Sequence, residues 1–309
     1  MGLSAPVVPR GDLRTPWTAA EILSFYLHEE QRLFVGNGRG LFAAKYVGEH
    51  PSDPRSGIAA WLREKLGADL TLSAAAAAMR RLEGSRLKNA FTTAYTVAAG
   101  EGVQPGPVVF DHVEASRDPD EDYFVWEAAR GTSAAPTYFP VARIGRGALR
   151  GSNARPRHVI DVGVAANNPA LYALSHLARE SQVHDLREVL VVSLGTGLYN
   201  PGYHVGDDRD AGDWGKLQWL LRRDVRGNWS SAIMDVLGNA NVLVPAQQLG
   251  DLLPKGHFVR IEPRIRYDEA SLDGLDAPAL LATAEQWIAP GGDGHGAYAA
   301  LVEALRDGA

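Results

Sequence analysis

The stretch HVIDVGVAANNPALYAL, residues 158–174, runs an apolar strand into Asp161, then a glycine, two asparagines and a proline. A carboxylate placed there has two readings. Aspartate caps turns and helix starts, and the ends of strands in α/β proteins are also where reactive groups collect. Ser133, in the small-residue turn GTSAA, has a bland role as the cap of the short turn after a helix ending at Arg130. His158, His176 and His184 lack the spacing of a metal site, and DGLDAP and GGDGHG lack the ligand pattern of a calcium loop. No metal and no cofactor is expected.

These residues need elements to hold them. Thr18 and Glu21 form a capping box before Ile22, Phe25, Leu33 and Phe34, predicting a helix over 18–34. GNGRGLF (36–42) follows that helix and reads as its stop and loop. Helices are predicted over 56–67 and through the alanine run 74–79. AFTTAYTVA (90–98) alternates, and PVVFDH follows after GEGVQPG, which predicts a β-hairpin. A helix ending near Gly131 precedes the Ser133 turn. Asn168 as N-cap and Pro169 at the first helical position open another helix, and EVLVVSLGTG (188–197) reads as a strand buried on both faces. Strand, helix and strand at this spacing predict a parallel βαβ unit. Beyond it lie helical patterns over 213–223 and 228–253, a strand at 257–263 and two closing helices.

Composition restricts the function classes. With 309 residues, 45% hydrophobic and 22% charged, the chain is long enough to bury a full core. A net charge of -6 without a long Lys/Arg run argues against nucleic acid as a partner. Cysteine is absent, which excludes disulfides, thiolate metal sites and a cysteine nucleophile, and suits a cytoplasmic location. Neither a secretory signal nor a membrane span is expected, and Pro6 stands where a myristoylation signal needs Ser or Thr. WGKLQWLLRRDVRGNW (214–229) sets Trp214, Trp219 and Trp229 among Arg222, Arg223 and Arg226. It reads either as a core-facing helix with a solvated basic face or as a peripheral lipid-contact region.

Taken in order, EAARGTSAAPTYFP (127–140), the Asp-x-Gly of Asp161 with NNPALYAL, and VVSLGTG (191–197) resemble the patatin-like lipid acyl hydrolases. The resemblance implies a single α/β domain over 1–309 with a mostly parallel central sheet flanked by helices. Its core match covers about 15–200, and a helical part covers 201–309. It further implies a lipid or ester substrate and a Ser–Asp dyad in which Asp161 is the general base and Gly163 supports the turn behind it. A serine hydroxyl is a weak nucleophile until an adjacent base takes its proton, and a partly desolvated carboxylate can do so.

Two features depart from that pattern. Val162 stands where the family has glycine, a strained choice if the position needs positive φ. No serine of the chain has glycine at both the second residue before and the second after, so the G-x-S-x-G elbow is absent, as is the glycine-rich oxyanion loop. The expectation is a chain missing its first strands and inactive as it stands. The alternatives are Ser133 as a displaced nucleophile, a non-catalytic relic that binds lipid or a partner, and half of an enzyme whose sheet a second chain completes.

Overall fold

A computed structural model describes residues 17–37, 44–49, 56–81, 89–99, 104–145, 154–180, 183–199, 214–223, 229–265 and 277–307. Residues 38–42 of the loop 36–42, residues 100–103 of the hairpin turn, residues 273–276 of DGLDAP and Arg226 lie outside them, as does the side chain of Trp229. The chain groups into two compact units divided between Val162 and Gly163.

In the first unit, α1 (Ala19–His28) starts at the expected capping box, with Glu21 N–H donating to Thr18 Oγ1 at 3.2 Å and Thr18 N–H to the Glu21 carboxylate at 2.9 Å. The predicted helix over 18–34 breaks at Glu29, and a short α2 (Glu30–Leu33) follows. Glu29 itself is held from outside, by Trp61 Nε1 at 2.8 Å and Lys65 Nζ at 2.7 Å. Helices α3 (Ile58–Leu66) and α4 (Leu72–Arg81) bury Trp61, Leu62, Ala75 and Met79. The hairpin forms as expected from β1 (Phe91–Ala99) and β2 (Gly106–Asp111), with Thr93 opposite Val109. After α5 (His112–Ala115) come α6 (Val125–Thr132), β3 (Ala142–Ile144) and β4 (Arg157–Asp161).

Those four strands form one sheet in the order β2-β1-β4-β3, and every pairing in it is antiparallel. The expected mostly parallel sheet is therefore corrected. Strand–helix–strand spacing reports alternation of elements, but not which strand becomes a neighbour. Here β1 is flanked by its own hairpin partner and by β4. Phe110, Tyr123, Trp126, Phe139 and Val159 fill the core of this unit. Helix α6 lies so close to the sheet that a side chain at Gly131 would come within 2.9 Å of Val159.

The second unit begins with α7 (Gly163–Ala166) and α8 (Ala170–Arg179), followed by β5 (Val191–Leu194). Then come α9 (Lys216–Leu220), the two-residue strands β6 (Arg222–Arg223) and β7 (Trp229–Ser230), the long α10 (Ala232–Leu252), β8 (Phe258–Ile261), α11 (Ala277–Ile288) and α12 (His295–Asp307). Strand β5 pairs in parallel with β8. It is not buried on both faces, because Leu194 is 70% exposed while Ser193 is buried. The helix predicted over 213–223 is confined to α9 and gives way to β6. Ala170, Leu174, Val189, Leu249 and Leu253 make the core of this unit. No described helix is long and apolar enough to cross a membrane.

Candidate active site

Asp161 is the last residue of β4, between β1 and β3 in the sheet, and lies opposite Ala94 of β1. The start of β4 is anchored by Arg157, which donates to Tyr123 Oη at 2.7 Å and to Glu121 Oε1 at 2.7 Å. At the other end, Asp161 N–H donates to the carbonyl of Ala134 at 3.0 Å. That bond ties the end of the strand to the turn that follows α6, and the Asp161 side chain is half-buried there.

Ser133 therefore sits one residue from a backbone partner of Asp161, but its hydroxyl is committed elsewhere. Ser133 Oγ donates to the carbonyl of Ala129 at 2.7 Å, and its N–H donates to the same carbonyl at 3.2 Å. It closes the last turn of α6 and is buried.

Sequence reasoning missed two buried charged residues of α6, the helix before this turn. Arg130 is buried, donates from Nη2 to the Pro140 carbonyl at 2.8 Å and lies 5.8 Å from the Phe139 ring. Burial pushes its guanidinium down to about 10. The signal was a lone arginine in a run of small residues. Glu127, fully buried, accepts the N–H groups of Phe124 at 3.3 Å and Gly145 at 3.0 Å, and burial raises its carboxyl above the usual range. Thr137 has φ 72, the left-handed region that a β-branched residue enters only under constraint. Its carbonyl is taken by Lys45 N–H at 2.8 Å, and Tyr46 N–H binds the Tyr138 carbonyl at 2.7 Å.

The strain anticipated at Val162 does not arise. Among the described residues Thr137 is the positive-φ non-glycine position, and Val162 is buried with ordinary backbone. Gly163 opens α7 as a helical residue. His158 and His184 are exposed and His176 half-buried, and among the described residues no group of three His, Asp or Glu is placed to hold a metal.

In the second unit, the two other motifs meet. Asn168 is 2% exposed, and its Oδ1 accepts from Ala170 N–H at 3.1 Å and from Ser193 Oγ at 3.1 Å. The N-cap of α8 is Pro169, one residue later than predicted, and Asn168 instead holds the turn that leads into the helix. Its own N–H donates to the Asn241 carbonyl at 3.2 Å, and its Nδ2 donates to Val242 O at 3.3 Å. Pro245 lies inside α10 and has no N–H for the carbonyl four residues back, which is that of Asn241. The proline frees the acceptor that docks the asparagine turn.

Ser193 in turn accepts from Arg260 Nη1 at 2.6 Å, and Arg260 pairs with Glu262. Glu262 Oε1 accepts Gly197 N–H at 2.8 Å. A side chain at Gly195 would fall 2.2 Å from the Glu262 carboxylate, which would have to move aside to admit it.

The chain is similar to known proteins. The chain is 29% identical over 246 residues to patatin-like protein 2 of Arabidopsis thaliana, a match covering 75% of this chain and 54% of that protein. It is 27% identical over 247 residues to patatin group J-1 of Solanum tuberosum, covering 75% and 56%. Its curated relatives are patatins and patatin-like proteins. The patatin-like protein 2 of Oryza sativa subsp. indica is 25% identical over 286 residues, 84% of this chain and 62% of that protein. The chain thus spans little more than half the length of the patatin relatives it matches. No family model matches it.

Proposed function

We propose that this patatin-like chain carries the general-base half of a lipid acyl hydrolase site, with Asp161 as the base and a serine nucleophile that its 309 residues do not supply. The observation that carries the second part is the engagement of Ser133, whose hydroxyl closes α6 by donating to Ala129. The first part is supported by the position of Asp161, half-buried at the end of a strand whose terminus is pinned to the Ala134 turn, and by the patatin relationship.

In this reading a serine hydroxyl placed within hydrogen-bond reach of Asp161 would pass its proton to the carboxylate as its oxygen attacks the ester carbonyl. The same proton would then go to the leaving alcohol. Backbone N–H groups would have to hold the oxyanion, and the G-x-S-x-G turn that normally presents one of them is absent from the sequence. The chain as it stands is accordingly inactive. A second reading, a chain that holds lipid without hydrolysing it, draws on the same Ser133 geometry.

Labelling of the purified chain with a fluorophosphonate probe, followed by peptide mapping and an Asp161→Asn control, tests the proposal. A folded chain that takes no label is expected. A serine labelled in the parent and lost in the control would keep Asp161 as the base and overturn the missing nucleophile. Label retained in the control would overturn both parts.

A further inference from the structure

Helix α10 has two apolar sides and fills only one of them. Its core side carries Ala232, Val242 and Leu249, all buried. On the other side Ile233, Val236, Leu237, Ala240, Leu243 and Val244 follow one another at the spacing of a helix face that packs against a second helix. Yet Val236, Leu237, Leu243 and Val244 are between 43% and 50% exposed. Trp219 and Leu220 of α9, which line an open apolar cleft together with Ile233, extend this face at the start of α10. The exposed apolar part is on the order of 600 Å² per copy, and with a polar rim it reaches the about 800 Å² per partner of a standard interface.

Charge marks the two ends of this face and is missing between them. The charged residues of α10 are Asp235 and Asp251. Asp235 lies about 200° round the helix from Ile233, on the core side, and accepts from Tyr199 Oη at 3.2 Å. Asp251 comes about five full turns after Ile233, so it shares the outer side, and it is exposed. At the opposite end Lys216 of α9 is exposed beside Ile233 in the cleft. Neither Lys216 nor Asp251 pairs with an opposite charge among the described residues. A face that runs from a cation through uncharged apolar residues to an anion is its own complement when turned about a twofold axis.

We propose that the outer face of α10 joins two copies of this chain in an antiparallel dimer. With the axis level with Gly238 and Asn239, Ile233 meets Val244 of the second copy and Leu237 meets Ala240, large side chains against smaller ones. Asp251 then passes about 10 Å beyond Ile233 of the second copy, toward its Lys216. A parallel pair would set Lys216 against Lys216 and Asp251 against Asp251, and would align the helix dipoles unfavourably. The net charge of -6 on each copy is spread over the chain and screened beyond about 8 Å at physiological salt. The association does not depend on the hydrolase reading given above.

Sedimentation velocity of the full 309-residue chain over a micromolar concentration series should show a monomer passing to a dimer. Leu237→Asp places a carboxylate in the middle of the face and should raise the dissociation constant about a hundredfold, because symmetry counts the change twice. Its melting temperature, taken at a dilution where the parent is monomeric, should match the parent's. Lys216→Asp and Asp251→Lys, both at exposed positions, should each weaken the dimer about tenfold, and the double variant should regain the parent's dissociation constant. A dimer as tight in Leu237→Asp as in the parent, or a double charge variant weaker than either single one, would overturn the proposal. So would a chain that stays monomeric throughout, and its flotation with phosphatidylcholine vesicles would assign the face to lipid instead.

Discussion

Asp161 and Ser133 are neighbours through the backbone, because the Asp161 N–H donates to the carbonyl of the residue after Ser133, Ala134, at 3.0 Å. The serine hydroxyl is nevertheless spent on Ala129, four residues back in its own helix. Proximity in the fold and availability for chemistry are here separate properties.

Replacing Ser133 by Ala should therefore behave as a structural change. Loss of one buried hydrogen bond costs about 1 kcal/mol, measurable by urea denaturation, and the response to a fluorophosphonate should match that of the parent chain. A parent that is labelled at Ser133 would contradict this.

Asn168→Ala should be far more damaging. It removes the acceptor for Ala170 N–H and Ser193 Oγ together with the donor to Val242. Stranding several buried groups should cost about 2–4 kcal/mol. Denaturation midpoints of Asn168→Ala and Ser193→Ala, with their double mutant, would reveal non-additive losses if the two share one network.

Gly195→Ala would set a methyl group against the Glu262 carboxylate, 2.2 Å from where it now lies. The carboxylate must then leave Gly197 N–H or Arg260. A loss of about 2 kcal/mol is expected, and Gly195→Ala combined with Glu262→Ala should lose less than the two single changes summed.

His112 makes stability fall on mild acidification. Burial lowers its pKa from 6.5, against the opposing effect of its contact with the Ala90 carbonyl and of Asp111 and Asp122. The residue is 4% exposed, and its Nε2 has no hydrogen-bond partner among the described residues. Below 6.5 the unfolded chain binds a proton that the folded one refuses, so stability declines from pH 6.5 down to the lowered folded value, by up to about 1.4 kcal/mol per pH unit. Thermal melts between pH 7.5 and 5 should show this slope, and His112→Phe should flatten it.

Local devices were legible in the chain. The capping box at Thr18 and Glu21, the hairpin of residues 91–111 and the end of α6 near Gly131 each depend on residues a few positions apart. Asp161 and Ser133 were picked out in the same way, from their immediate neighbours in the chain. Pro245 could also have been noticed, since a proline within a helical pattern always releases a carbonyl one turn earlier.

Sheet direction was not legible, because the rows from 157 to 161 and from 91 to 99 carry no mark of which would lie beside which. The same holds for the polar network of the second unit. Asn168 reaches Val242 across 74 residues of chain and Gly197 reaches Glu262 across 65. The amino-acid sequence by itself determined which residues could cap, turn or bear a reactive carboxylate, since these are properties of side chains and near neighbours. Only the tertiary structure decided that Ser133 is occupied, that Arg130 is buried against Pro140 and that Leu217 and Leu220 face water. Those outcomes depend on which distant surfaces exclude solvent from one another.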